Sequence, residues 1–353
     1  MNNRTIEVNK KRHYYIVDIL KFIFCIFIIA LHTNLMSFAN EDIQWWIEKC
    51  LFRLAVPFFF LTSGFLVGNK FGDYSDIASI KKSVLNYSKR LFKILIIFEP
   101  ISIVINIFVY YENGIKPLGI ITYTVRDIIF YPKGALWFIQ ACIVGVWIIY
   151  YMIKYKKTNL LIPISVVCYV FALICNSYYF LVEGTSFGNI ISNIVNITYS
   201  VRNGIFVGVP YLYLGMMISK IHNLRKLSKI SLAILMIISG IIYYIELCLV
   251  RNAHMMDDGS LFIMLPVFIS FLLLFVLNYS SDNNKLILTM RNLSTGMYIL
   301  HSPLNLLFYY GMIVVFDYHA LGIIRFFFTL LSSLIMCIIS YNSKNSKING
   351  ILR

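Results

Sequence analysis

The 353-residue chain is 59% hydrophobic and only 13% charged, more apolar surface than a soluble core can use, and apolar runs of about 20 residues recur along it. A formal charge of +15 would suit a nucleic-acid partner, but the basic residues form short clusters between the apolar runs, so the charge points to a polytopic membrane protein and away from nucleic acid. The seven cysteines are scattered without a CxxC pair, and no P-loop, HExxH or CxxCH occurs, so neither a disulfide framework nor a metal, nucleotide or haem site is expected.

Residues 1–13, with Arg4, Lys10, Lys11 and Arg12, read as a cytoplasmic tail, and no small-x-small cleavage site follows, so the first span (14–37) should be retained. That span contains DILKFIFCIFIIALH, residues 18–32. A helix turns about 100° per residue, so the eleven-residue step from Lys21 to His32 puts both on one face, about 16 Å apart along the axis. Asp18 and Cys25 fall on the same stripe. Ionisable groups at such depth are costly in lipid and face a cavity or a partner. The alternative is that Lys21 snorkels to the headgroups while His32 is a packing residue. An acidic loop with Trp45 and Trp46 suits an interfacial belt or a re-entrant helix.

The second span (50–67) contains RLAVPFFFLTSGF, whose Arg53 should lie level with His32 across a short loop, and whose Ser63-Gly64 is expected to end the helix. Lys70, Lys81, Lys82, Lys89, Arg90 and Lys93 make the most basic loop of the chain, whose spacing could also form an amphipathic helix on the inner leaflet. The third span (91–111) holds Glu99 and Pro100, a buried acid beside a kink. A loop to Lys133 precedes the fourth span (134–154), where Trp137 is expected as an interfacial anchor, with a substrate contact as the alternative. The fifth span covers 159–178. A long polar loop leads to Arg202 and the sixth span (202–220), which opens with RNGIFVGVPYLYLG.

The seventh span (230–250) carries Glu246 and is followed by the outer loop RNAHMMDDGS. The eighth (261–279) ends in the turn SSDNNK. The ninth contains LSTGMYILHSPLNLL, in which His301, followed by Ser302-Pro303, is either a second buried base or the residue before a proline kink. The tenth (320–341) includes Arg325. The fold class is therefore an all-α polytopic membrane protein of about ten transmembrane helices. It reads as one domain, 14–341, with cytoplasmic tails at 1–13 and 342–353. Threading it with both termini cytoplasmic places about 22 of the 31 Lys and Arg inside and about 7 outside.

Chemically, a histidine beside a guanidinium can orient and polarise an acyl group or bind a carboxylate bidentately. The same residues carry a resemblance. Lys21-x10-His32 resembles the Arg/Lys-x10-His signature of the acyltransferase-3 membrane proteins, and RLAVPFFFLTSGF, ALWF around Trp137 and YILHSP around His301 are similar to further motifs of that family. RNGIFVGVPYLYLG, Glu246, DDGSLFIMLPVF and LSTGMYILHSP are similar to the membrane half of the vancomycin-resistance serine racemases, a branch of the same superfamily.

The resemblance implies two functions. In the racemase branch it implies a plasma-membrane domain that binds and imports L-serine for a cytoplasmic, pyridoxal-phosphate-dependent racemase domain. Arg53, Lys21 or Arg202 would then meet the carboxylate, and Glu246, Glu99 or Asp18 the ammonium. This chain has no such barrel, so racemisation is not expected of its residues, and the basic tail is the expected junction. The alternative is a bacterial membrane O-acyltransferase in which His32 is the catalytic base, Lys21 contacts the acyl-CoA donor and Arg53 shares the site. The Lys21–His32 separation suits a long thioester arm better than one serine.

Overall fold

A computed structural model describes residues 14–72, 74–224, 228–253, 259–279 and 285–342. The two expected tails, apart from residue 342, lie outside these residues, as do most of the loop at 254–258 and the turn at 280–284. The described residues form α-helices and short 3-10 or π turns, with no strand among them. In order they are α1 (Tyr15–His32), α2 (Glu41–Cys50), α3 (Ala55–Phe71), α4 (Ile77–Glu112), α5 (Pro117–Phe130), α6 (Leu136–Lys154), α7 (Leu161–Ile174), α8 (Ser186–Thr198), α9 (Val209–Leu224), α10 (Lys229–Ala253), α11 (Leu265–Leu277), α12 (Lys285–Phe316) and α13 (Gly322–Asn342).

Eight helical segments among these residues are long and apolar enough to cross a bilayer, and two shorter apolar helices, Thr158–Ile174 and Leu265–Leu277, fill the places of the fifth and eighth expected spans. A polytopic helical membrane fold is thus what the apolar periodicity builds. The basic stretch before the third span is no separate surface helix. Asp76 caps α4 by accepting from the Ser79 amide, and one 36-residue helix continues from the exposed Lys81 and Lys82 through Pro100 to Glu112.

Two segments expected as loops are helical. Pro117 at N1 starts α5, and the Thr185 side chain caps α8 by accepting from Gly188. Both are short, and the asparagines of α8 hide its apolar face, on which Ile191 is buried. Ser63-Gly64 does not end its helix. It lies in the middle of α3, where Gly64 is a packing position: a Cβ there would stand 2.1 Å from the Leu212 carbonyl oxygen, and one on Gly215 would stand 2.2 Å from that of Leu61. Backbones of α3 and α9 therefore touch at paired glycines, the close approach that drives helix association in lipid. This contact fixes the centre of the bundle, around which α1, α12 and α6 carry the polar side chains.

Candidate active site

His32 is the last residue of α1, and the helix stops there because Thr33 turns its hydroxyl back onto the Ile29 carbonyl at 2.8 Å. The imidazole sits in a recess, surrounded by protein yet accessible from outside. Its ring centroid is 5.1 Å from that of His301, which α12 holds fully buried. His301 Nδ1 lies 2.6 Å from the Tyr298 carbonyl, so this nitrogen donates and Nε2 is left as an acceptor. Nε2 is buried and has no hydrogen-bond partner in the protein.

Arg53, in the 3-10 turn Phe52–Leu54, and Arg202, two residues before the π-helical turn Gly204–Gly208, are both within electrostatic reach of His32. They wall a small cavity of about 40 Å³ together with Phe60, Trp137, Tyr211 and Ser260. Trp137 is not an interfacial anchor. It is 8% exposed and stacks on Tyr131 at 5.6 Å, and the Arg202 guanidinium lies 5.8 Å from its ring centroid. Bulky, rigid rings thus position a cation that has little room to move.

Asn305 closes the site from behind. Its Nδ2 donates to the His32 carbonyl at 3.0 Å, and its Oδ1 accepts from Arg325 Nε at 3.0 Å. The intramembrane Arg325 is thereby tied, through one amide, to the end of α1.

Lys21 opens onto a second cavity, about 80 Å³, whose polar wall is Lys21, Ser63, Tyr87, Arg90 and Ser294. Asp18, 8% exposed, and Arg291 are within electrostatic reach of Lys21. Tyr298, Phe59 and Phe138 stand between this cavity and the histidines. Tyr298 lies 5.6 Å from each phenylalanine ring and 5.8 Å from His301, and its hydroxyl donates to the Ala135 carbonyl at 3.0 Å. The stripe on α1 therefore sets Lys21 in one polar cavity and His32 beside His301 and the two arginines, with one layer of aromatic rings between them.

Two expected site acids are elsewhere. Glu246 accepts from the Tyr178 hydroxyl and from the backbone N–H groups of Ile263 and Met264. Those amides lie just ahead of α11, so the carboxylate holds the chain entering that helix and is engaged by three donors. Glu99 lies on α4 near Asp127, which is bound by Tyr110, Arg126 and Lys133. Lys133 lies outside the spans, and burial pulls its amine down to about 8 although Asp127, 3.7 Å away, opposes the shift.

Of the expected residues, the fold brings His32, His301, Arg53, Arg202 and Trp137 together, and places Lys21 with Asp18 on the far side of the aromatic layer. Arg90, Tyr87, Ser260 and Asn305 also belong to these surroundings. Arg90 was hidden in a stretch read as a basic loop, while Asn305 was visible only as part of the LSTGMYILHSPLNLL motif. No group of three or more His, Cys, Asp or Glu that could hold a metal ion occurs among the described residues.

Comparison with known proteins shows the family. The acyltransferase-3 family model, described as an acyltransferase domain, matches residues 14–342. The chain belongs to the acyltransferase-3 family. Within it, the chain is 29% identical over 225 residues to an amino-acid racemase of Enterococcus faecalis, a match covering 61% of this chain and 29% of the relative. It is 23% identical over 265 residues to a serine/alanine racemase of Enterococcus gallinarum, covering 74% of this chain and 37% of that protein. The matches thus span well under half the length of these curated relatives. No solved structure matches this acyltransferase-3 chain.

Proposed function

We propose that this acyltransferase-3 protein is a membrane O-acyltransferase that takes an acyl group from a cytoplasmic acyl-CoA and delivers it to a hydroxyl on the opposite side of the membrane. The observation that carries this reading is the pair of chambers: a cationic cavity at Lys21 and Arg90, and a histidine–arginine cluster beyond one aromatic layer. With the basic loops inside, Lys21 lies at the cytoplasmic end. Lys21, Arg90 and Arg291 attract the phosphates of the donor there, and the thioester arm reaches past Tyr298.

At the other end His32 takes the proton of the acceptor hydroxyl as its oxygen attacks the thioester carbon. Arg53 and Arg202 neutralise the negative charge that develops on the carbonyl oxygen. The attack forms the C–O bond; collapse of the tetrahedral intermediate restores the carbonyl and breaks the C–S bond, and the thiolate takes the proton back from His32 as free thiol. His301 is a neutral neighbour with its Nδ1 proton held by Tyr298, so its free Nε2 is available to orient the hydroxyl or the His32 ring.

A second reading, import of L-serine by the same cluster, takes its substrate from the name of one relative, the serine/alanine racemase. A zwitterion needs an acid as well as a cation, and no carboxylate stands among the described residues that line the cavity at Arg53 and Arg202. Glu246 is already taken up by its three donors. Calorimetric titration of the purified protein with acetyl-CoA and with L-serine separates the two. Acyl transfer predicts saturable acetyl-CoA binding, weakened at least tenfold by Lys21→Ala, and no heat from L-serine. Saturable L-serine binding alone overturns it.

A further inference from the structure

A further cavity among the described residues is apolar. It is an apolar groove of about 520 Å³, within the ~300–1,000 Å³ of ordinary ligand pockets, running between α7, α9 and the start of α11. On α7 it takes one helical face, from Ile162 through Val166 and Val170 to Ile174, a length of about 18 Å along the axis. That is more than half the ~30 Å hydrocarbon thickness, in a region where α7 and α11 are the two short apolar helices. Its exposed flank, with Val166 at 56% and Val170 at 46%, faces lipid in a membrane-spanning bundle.

The groove shares one wall with the active site. Tyr211, 1% exposed, lines both the groove and the cavity at Arg53 and Arg202. Its hydroxyl meets that of Tyr169 at 3.0 Å, and its ring stacks on Phe60. A long apolar trough parallel to the helices has the form of a hydrocarbon chain, and its Tyr211 wall sets such a chain beside the Arg53 and Arg202 cavity. The donor enters from Lys21, past Tyr298, and does not cross this groove, so the chain belongs to the acceptor.

We infer that the acceptor hydroxyl is carried on a membrane lipid, whose hydrocarbon chain lies between α7 and α9 while its head group meets His32 at the far side of Tyr211. This rests on the acyl-transfer reading and names its acceptor class. The acyl group moves from the donor sulfur to the lipid hydroxyl oxygen, and the hydroxyl proton ends on the released thiol.

The test supplies the purified protein in nanodiscs with radiolabelled acetyl-CoA and a total lipid extract of the producing cells, or the water-soluble glycan fraction instead. Label is expected in the lipid phase, reduced about tenfold by Val170→Trp, which fills the groove. Val167→Trp, on the lipid-facing side of the same helix and outside the groove, is expected to behave as wild type. In parallel, phosphatidylglycerol carrying a diazirine on its acyl chain should label the α7 and α9 faces of the groove in the unmodified protein. Label confined to the glycan fraction, equal transfer by both tryptophan variants, or photolabelling that avoids the groove overturns the lipid acceptor while leaving acyl transfer in place. Failure to consume acetyl-CoA with either fraction overturns the acyl-transfer reading as well.

Discussion

The Asn305 side chain donates to the main-chain carbonyl of His32, so the reactive end of α1 is held by α12 through a single amide 3.0 Å away. Because Arg325 donates to the other end of that amide, the two roles are separable. Asn305→Asp keeps the Arg325 contact and loses the donor to His32. It should lower turnover about tenfold with little change in melting temperature or in donor KM. Asn305→Leu loses both bonds and should also destabilise the fold by about 1–3 kcal/mol, read as a lowered melting temperature in detergent. Equal turnover in Asn305→Asp and wild type would show that the His32 carbonyl needs no such hold.

Glu246 distinguishes a structural acid from a substrate-binding one. Removing it as Glu246→Ala strands the amides of Ile263 and Met264 and the Tyr178 hydroxyl, a loss of about 2–3 kcal/mol. A clear fall in thermal stability is expected, with any surviving protein retaining its affinity for acetyl-CoA. A variant of normal stability that has lost ligand binding would return Glu246 to the site.

The placement of the spans was legible in the sequence because lipid enforces apolar runs near 20 residues, and even the short α7 and α11 stand where the fifth and eighth runs were expected. The Lys21–His32 stripe was legible for the same reason that helices have a fixed period. Partners across helices were not. Periodicity places Glu246 and His301 equally well at mid-span, and only the tertiary fold shows that one holds the backbone ahead of α11 while the other faces His32. Gly64 was misread for a related reason: a glycine that ends a helix and one that admits a neighbouring backbone look alike in one dimension.

That packing position makes a direct prediction. Gly64→Leu places a side chain where the Leu212 backbone already lies, so α3 and α9 must separate. Overpacking of about 1–3 kcal/mol or more is expected, seen as poor extraction and early unfolding, with Gly64→Ala milder in the same direction. Wild-type stability in Gly64→Leu would contradict the close approach.

Lys133 should titrate early. Its amine is lowered to about 8 by burial, against an ordinary lysine near about 10.4. The unfolded chain therefore binds more protons than the folded one between these values, so this group's contribution to stability rises with pH across that window. Amine labelling followed by mass spectrometry should show Lys133 half-reactive near pH 8, ahead of the exposed Lys81 and Lys82. A labelling midpoint above about 10 would contradict the depressed value.

The central claim is that His32 does chemistry on an acyl donor, and thiol release from acetyl-CoA by the purified protein in nanodiscs, with a lipid extract as acceptor, tests it most directly. Release that saturates in the wild type and falls about 100-fold or more in His32→Ala, with acetyl-CoA binding retained, is the predicted result. Thiol release that is undiminished in His32→Ala, or absent from the wild type while L-serine binds saturably, would contradict it.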